Sequence, residues 1–245
     1  MSVEQPQFGE LDRTNPNWVP ETRFGVWFQA TSIWSQYVVA EALQALHECA
    51  VRHSLPANPT ILDAGCGTGV AFTPLIALFS PARIIGVDID AKLVDLANAA
   101  ADQLSTPVEV CHDDLQTLSL TSNSCDLVLC HQSLHHVSYQ VRVLQEFHRV
   151  LRPGGLLLIS ESCGSFTESP LVSALFRHPR GNQRSFDGYL DLLRACGFAV
   201  EDADLRRPDP WWSRPAMGLY QRLGIPHRTR APTQLLAVGV RQPQS

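Results

Sequence analysis

The sequence predicts a doubly wound α/β fold, a mostly parallel sheet with helices on both faces, from three observations. Short apolar runs of strand length alternate with helix-length runs from residue 60 to residue 160, and that alternation builds parallel sheets through crossover helices. The first such run enters a turn carrying Gly65, Gly67 and Gly69. Acidic residues, Asp88 and the pair Asp113–Asp114, follow the second and third runs, at strand ends where open sheets of this kind hold ligands.

Taken in order, residues 1–26 are polar and broken by Pro6, Pro16 and Pro20, with Trp18 and Phe24 interleaved, and read as an arm packed on a core. From Trp27 to His53 the residues Val39, Leu43, Leu46 and Ala50 recur at helical spacing, so one or two helices are expected, ended by Pro56. Core strands are expected at Thr60–Ala64, Ala82–Val87, Val108–Cys111, Asp126–Cys130 and Leu156–Ser160, with helices at Val70–Phe79, Lys92–Leu104 and Tyr139–Leu151. Gly154 and Gly155 read as the stop of the last helix. A Ser-, Gly- and Pro-rich stretch runs to Arg184, then Ser185 is placed to cap a helix that Gly197 ends. Strands at Ala199–Leu205 and Leu235–Val240 would close the sheet. Between them Arg206–Pro232, with Trp211, Trp212, Met217 and Tyr220 among Pro208, Pro210, Pro215 and Pro226, is too long for a hairpin and is a candidate lid or substrate wall. The expected organisation is a single domain over 1–245: an N-terminal arm and helices at 1–58, a ligand-binding core at 59–160, and substrate-side elements with the final strands at 161–245.

Composition excludes several classes. The chain is 44% hydrophobic and 18% charged, with apolar runs too short to span a bilayer, and no basic stretch followed by an apolar one opens it, so a cytoplasmic location is expected. Seven cysteines without a C-x-x-C pair argue against disulfides and a cysteine zinc site. A formal net charge of −5 argues against a nucleic-acid partner. Lys92 is the one lysine, which removes most lysine-dependent mechanisms.

The glycine turn carries the chemistry. Counted from Gly65, a dinucleotide fingerprint needs its third glycine at position 70, which is Val70. No phosphate-binding G-K-[ST] is present, and Asp63, two positions before Gly65, would repel a pyrophosphate and suits a positively charged ligand.

Asp63-x-Gly65-x-Gly67-x-Gly69 resembles the first motif of the class I S-adenosylmethionine (SAM) dependent methyltransferases. Nineteen residues after Gly69 stands Asp88, where that family places the acid that accepts the ribose hydroxyls. In His112-Asp113-Asp114-Leu115 the resemblance assigns Asp114 to the adenine amino group, with Asp113 the open alternative, and the following backbone to the ring. Ser124 to Val137 is similar to the fourth strand and Leu-His-His turn of the ubiquinone- and menaquinone-type enzymes, and Glu146 to Gly155 to their fifth-strand approach. The resemblance implies a Rossmann-like seven-stranded sheet with an antiparallel last strand, SAM as cofactor, and cofactor contacts from Asp63, Gly65, Cys66, Gly67, Gly69, Asp88, Ile89, Asp113, Asp114, Leu115 and His131. The reaction implied is methyl transfer to an O, N or C nucleophile of a small molecule.

His131 ends the fourth strand, where a general base could act; the alternative is a histidine that only lines the cleft. His135 and His136 read as packing residues. The His131/His135 spacing is a poor argument for metal, and none is expected. Trp27, Phe28, His135, Trp211 and Trp212 are candidates for binding a partly apolar acceptor, against ordinary packing of the flanks. Two other functions stay open: a SAM-binding protein of this fold that does not methylate, and an NAD(P)-dependent oxidoreductase, which the glycine spacing disfavours.

Overall fold

The computed structural model describes residues 22–178, 182–208, 210 and 231–243. The N-terminal flank starts with α1 (Arg23–Gln29), capped by the Thr22 hydroxyl, which accepts the Gly25 N–H at 3.0 Å and donates to the Leu175 carbonyl at 2.6 Å. A π-helical stretch, Trp34–Ala40, leads without interruption into α2 (Glu41–Ala50), whose buried face is Ala42, Leu43, Leu46, Cys49 and Ala50. This spacing of about one turn is what the apolar pattern requires.

The core then alternates as expected: β1 (Thr60–Ala64), α3 (Phe72–Phe79), β2 (Arg83–Asp88), α4 (Ala91–Ala101), β3 (Val108–His112), β4 (Cys125–His131), α5 (Gln140–Val150) and β5 (Leu151–Ser162). Two short helices, α6 (Gly164–Thr167) and α7 (Pro170–Leu175), precede α8 (Phe186–Ala195), β6 (Phe198–Ala199), β7 (Leu205–Arg206) and β8 (Gln234–Arg241). Ser185 caps α8 as read, its hydroxyl accepting the Gly188 N–H at 3.1 Å. The sheet runs β3-β2-β1-β4-β5-β8-β6, with β7 also on β8. Strands β1 to β5 are parallel and β8 is antiparallel to β5.

Both faces of the sheet are covered, which is why its strands are almost continuously apolar. Leu62, Ile85, Val128 and Leu157 meet Phe147 of α5 and Tyr189 of α8 on one face. Ile61, Ile84, Leu127 and Leu158 meet Leu43 and Leu46 of α2 and Phe72 and Leu75 of α3 on the other. The alternation of Ile61 and Leu62 between two cores follows from the two-residue period of a strand.

Two expectations need correction. Gly154 and Gly155 do not stop α5, which ends at Val150 with Leu151 already extended. They form an irregularity in β5, where the pairing moves from Cys125–Leu151 to Leu127–Leu156. Gly154 has φ +77°, and a Cβ on Gly155 would stand 2.9 Å from the Arg152 carbonyl oxygen, closer than real side chains approach, and 3.0 Å from that of Asp126. The strand expected at Ala199–Leu205 is split into β6 and β7 by a 3₁₀ turn, Asp202–Asp204, so the sheet has eight strands rather than seven. Buried Asp204 holds that turn at the end of α2, 3.0 Å from His53 Nε2 and 3.7 Å from Arg52 Nε. The lid segment lies almost wholly outside the described residues. Among the described residues no helix is long and apolar enough to cross a membrane.

Candidate functional site

The sheet order reverses direction between β1 and β4, and one cleft opens there at the carboxyl ends of four strands, the place where doubly wound sheets bind ligands. After β1 it is lined by Asp63, Gly65, Cys66 and Gly67, and after β2 by Asp88, Ile89 and Asp90. Asp114, Leu115 and Gln116 follow β3, while His131, Gln132, Ser133 and His136 follow β4. The N-terminal flank closes the remaining side with Val26, Gln29 and Trp34.

The glycine turn folds over β2 because the Gly65 and Cys66 N–H groups both donate to the Val87 carbonyl, at 2.8 and 3.0 Å. Gly65 has φ +76°, and a Cβ there would stand 2.2 Å from Ser133 Oγ. Gly67 has φ +55° and open space where its Cβ would point. Its N–H donates to Asp88 Oδ2 at 2.9 Å, while Asp88 Oδ1 accepts the Asp90 N–H at 2.9 Å. Asp90, and not Asp88, caps α4, through the Lys92 N–H at 2.9 Å. Asp88 is thus held by the turn and α4 while facing the cleft. Burial raises its pKa, partly offset by the Asp90 and Gly67 N–H groups.

Asp63 is 2% exposed, and its Oδ2 has no hydrogen-bond partner. Burial first, and the neighbouring Asp88 second, push its pKa up to about 7. A buried carboxyl oxygen without a donor is unfavourable alone, and a cationic ligand in the cleft relieves it.

Of the two acids after β3, Asp114 lines the cleft and accepts the Gln116 N–H at 2.9 Å. Asp113 turns away, accepting the Asp114 N–H at 2.9 Å and the Ser119 N–H at 2.8 Å. The loop is anchored from α5: Arg149 donates to the Leu118 and Leu120 carbonyls at 2.8 and 2.7 Å, and Glu146 accepts the Leu118 N–H at 2.9 Å.

His131 lines the cleft, with both ring nitrogens buried and unpartnered and Trp34 edge-on at 6.1 Å. Burial pushes its pKa down to about 4, so the ring is neutral near pH 7 and a weak base there.

The remaining expected residues lie elsewhere. Gly69, φ +77°, faces Phe72 and not the cleft. Trp27 is 61% exposed because Val26 and Gln29 take the inward face of α1. Phe28 packs against Phe24, Trp34 and Phe176. His135 is buried and bound by its Nδ1 to Glu161 Oε2 at 2.5 Å; the cleft wall has His136 instead. Trp211 and Trp212 lie outside the described residues.

Glu161 is the site-building residue that sequence reasoning missed. It is fully buried, and its Oε1 accepts the Ser133 and Leu134 N–H groups at 3.0 and 2.8 Å, fixing the turn that forms the cleft wall after β4. The signal was present: one acid inside the apolar run from Leu156 to Cys163.

A sheet of this order with a glycine turn and strand-end acids around one cleft is the architecture of the class I methyltransferases. A family profile described as a methyltransferase domain matches residues 62–159. A SAM-dependent Diels–Alderase of Talaromyces variabilis is 30% identical over 204 residues, covering 74% of this chain and 67% of that protein. A ubiquinone/menaquinone biosynthesis C-methyltransferase of Syntrophotalea carbinolica is 31% identical over 117 residues, 48% of each chain. Among solved structures, a SAM-dependent methyltransferase of Mesorhizobium loti superposes with TM-score 0.60 at 21% identity, covering 87% of this chain and 99% of that one. The chain belongs to the SAM-dependent methyltransferase family, whose cofactor is S-adenosylmethionine. It spans only 38%, 32% and 55% of the length of three other curated relatives that it matches.

The cleft suits that cofactor on its own terms. Asp63 offers an unpartnered buried carboxyl oxygen to a cation, Gly67 leaves room beside the backbone, and the acids Asp88 and Asp114 face the cleft from successive strands.

Proposed function

We propose that this chain transfers a methyl group from SAM to an O, N or C nucleophile of a small, partly apolar or aromatic molecule. The observation that carries the reading is Asp63: a buried acid with an unpartnered carboxyl oxygen at the head of a glycine turn calls for a cationic ligand. SAM bound there supplies a methyl group already activated by its sulfonium centre. Asp63 with the turn receives the charged end of the cofactor, Asp88 its ribose, and Asp114 with Leu115 its adenine; Asp113 keeps the loop folded.

The acceptor enters from the side of Val26 and Trp34, whose apolar surfaces exclude water and favour an apolar body. Alignment of an already activated methyl group accounts for much of the rate, up to ~7–11 kcal/mol for well-oriented partners. Neutral His131 orients an acceptor hydroxyl or amine by accepting its hydrogen bond. The net charge of −5 supports a small acceptor over a nucleic acid, and a cytoplasmic setting fits this reading.

The test is formation of S-adenosylhomocysteine from SAM with a panel of phenols, enols, amines and carboxylates. Acceptor-dependent product supports methyl transfer; none across the panel, with SAM bound, refutes it. That second outcome favours a SAM-binding catalyst of another reaction, a reading supported by the Diels–Alderase relative. Consumption of a polyene or diene substrate with SAM unchanged would establish it.

A further inference from the structure

Behind the cleft wall three imidazoles converge from parts of the chain far apart in sequence. The 3₁₀ turn Leu134–His136 contributes two, and His178 comes from the segment after α7. Ring centroids of His135 and His136 are 4.3 Å apart, and His178 lies 5.1 Å from each. One ring nitrogen from each residue lies within 4.8 Å of the other two. Nitrogens bound to one tetrahedral zinc ion stand roughly 3.4 Å apart, so modest side-chain rotations close the set.

We propose that His135, His136 and His178 form a three-histidine site for a divalent transition-metal ion, Zn²⁺ foremost, with Glu161 orienting the first ligand. Three features favour an ion over mutual packing. Metal-binding histidines characteristically donate their second ring N–H to a carboxylate, which fixes the tautomer and raises ligand basicity; His135 Nδ1 meets Glu161 Oε2 at 2.5 Å. The Nδ1 atoms of His136 and His178 are buried without a hydrogen-bond partner, which is unfavourable in the absence of a ligand. All-imidazole sets suit zinc, copper, nickel and iron far better than magnesium or calcium.

The neighbouring backbone is arranged to hold the set. Gln183 Nε2 donates to the His135 carbonyl at 3.0 Å, and Asn182 Nδ2 donates to the Val137 carbonyl at 3.3 Å, tying the chain just beyond His178 to the turn. Because His136 is also part of the cleft wall, an ion here would join α7 and its following segment to the cleft. The His131/His135 spacing gives no metal signal, and the third ligand stands 42 residues beyond His136 and has no local signal.

The test uses the full chain without an affinity tag, stripped with a chelator and titrated with ZnCl₂ by calorimetry, and with CoCl₂ by visible spectroscopy. SAM is titrated into the same preparation. The expected result is one equivalent of Zn²⁺ and the intense visible absorption of four-coordinate Co²⁺. Both should be lost in His178→Ala, and Zn²⁺ affinity should fall ~10–100-fold in Glu161→Gln, the usual effect of removing an orienting partner. Circular dichroism confirms that each variant is folded. Folded wild-type protein that takes up no stoichiometric Zn²⁺ overturns the proposal, as does uptake unchanged in His178→Ala. The SAM titration separates this from the cofactor reading: Zn²⁺ uptake without SAM binding would keep the ion site and sink the cofactor.

Discussion

Replacing Glu161 with Ala should unfold the wall of the cleft before it unfolds the sheet. The carboxyl group of Glu161 takes the Ser133 N–H at 3.0 Å, the Leu134 N–H at 2.8 Å and the His135 ring nitrogen at 2.5 Å, all from a 0% exposed position. Truncation leaves these donors buried, and each unsatisfied group costs about 1–3 kcal/mol. Partial repair by water brings the total to roughly 3–5 kcal/mol, the range for breaking a buried polar pair. In a domain of this size each kcal/mol moves Tm by about 2–4 °C, so a fall of roughly 10 °C is expected. The assay is thermal unfolding by circular dichroism with chelator present, so that metal release contributes nothing. Glu161→Gln, which keeps one acceptor oxygen, should recover part of the loss. A Glu161→Ala protein melting within about 2 °C of wild type would refute the claim that this residue holds the turn.

Other outcomes follow from the same geometry. Asp63 has a folded pKa of about 7 against an ordinary 3.8, so ionising it destabilises the ligand-free fold. That stability is present below the ordinary pKa and lost as pH rises through about 7, by roughly 4 kcal/mol. Asp63→Asn should therefore flatten the loss of Tm between about pH 4 and pH 7 and abolish SAM binding; parallel pH curves for the two proteins would contradict this. Gly65→Ala combines φ +76° with a Cβ 2.2 Å from Ser133 Oγ, the backbone alone costing about 1–2 kcal/mol. Its SAM affinity should drop at least ~10-fold, and unchanged affinity by calorimetry would remove the turn from the site. With its pKa near 4, His131 stays neutral across the physiological range. The pH–rate profile of His131→Gln should keep the wild-type shape from pH 6 to 8, while loss of a wild-type inflection near 6.5 would restore the general base.

Much of the fold was legible because its signals are local. Strand β1 lies at Thr60–Ala64 as read, bounded by Pro59 and Gly65, and the acids Asp63, Asp88 and Asp114 all reach the cleft because strand ends in this topology converge. What was not legible depends on partners distant in sequence. The strand at Ala199–Leu205 breaks because Asp204 is drawn to His53, 151 residues earlier. Glycine after a helix usually stops it, whereas Gly154 and Gly155 serve the slip in pairing between β4 and β5. Trp27 has the chemistry of an acceptor wall, but the register of α1 turns Val26 and Gln29 inward, which aromatic content alone does not report. Asp113 and Asp114 are equivalent by type and neighbouring in position; only the N–H groups each accepts separate them.

The central claim is that the cleft binds SAM through its acids, and isothermal titration with SAM and S-adenosylhomocysteine on wild type and Asp88→Ala tests it most directly. The account predicts one site for each ligand in the wild type and loss of both in a variant whose circular dichroism is unchanged. Absence of binding to either ligand by the folded wild-type chain would contradict it.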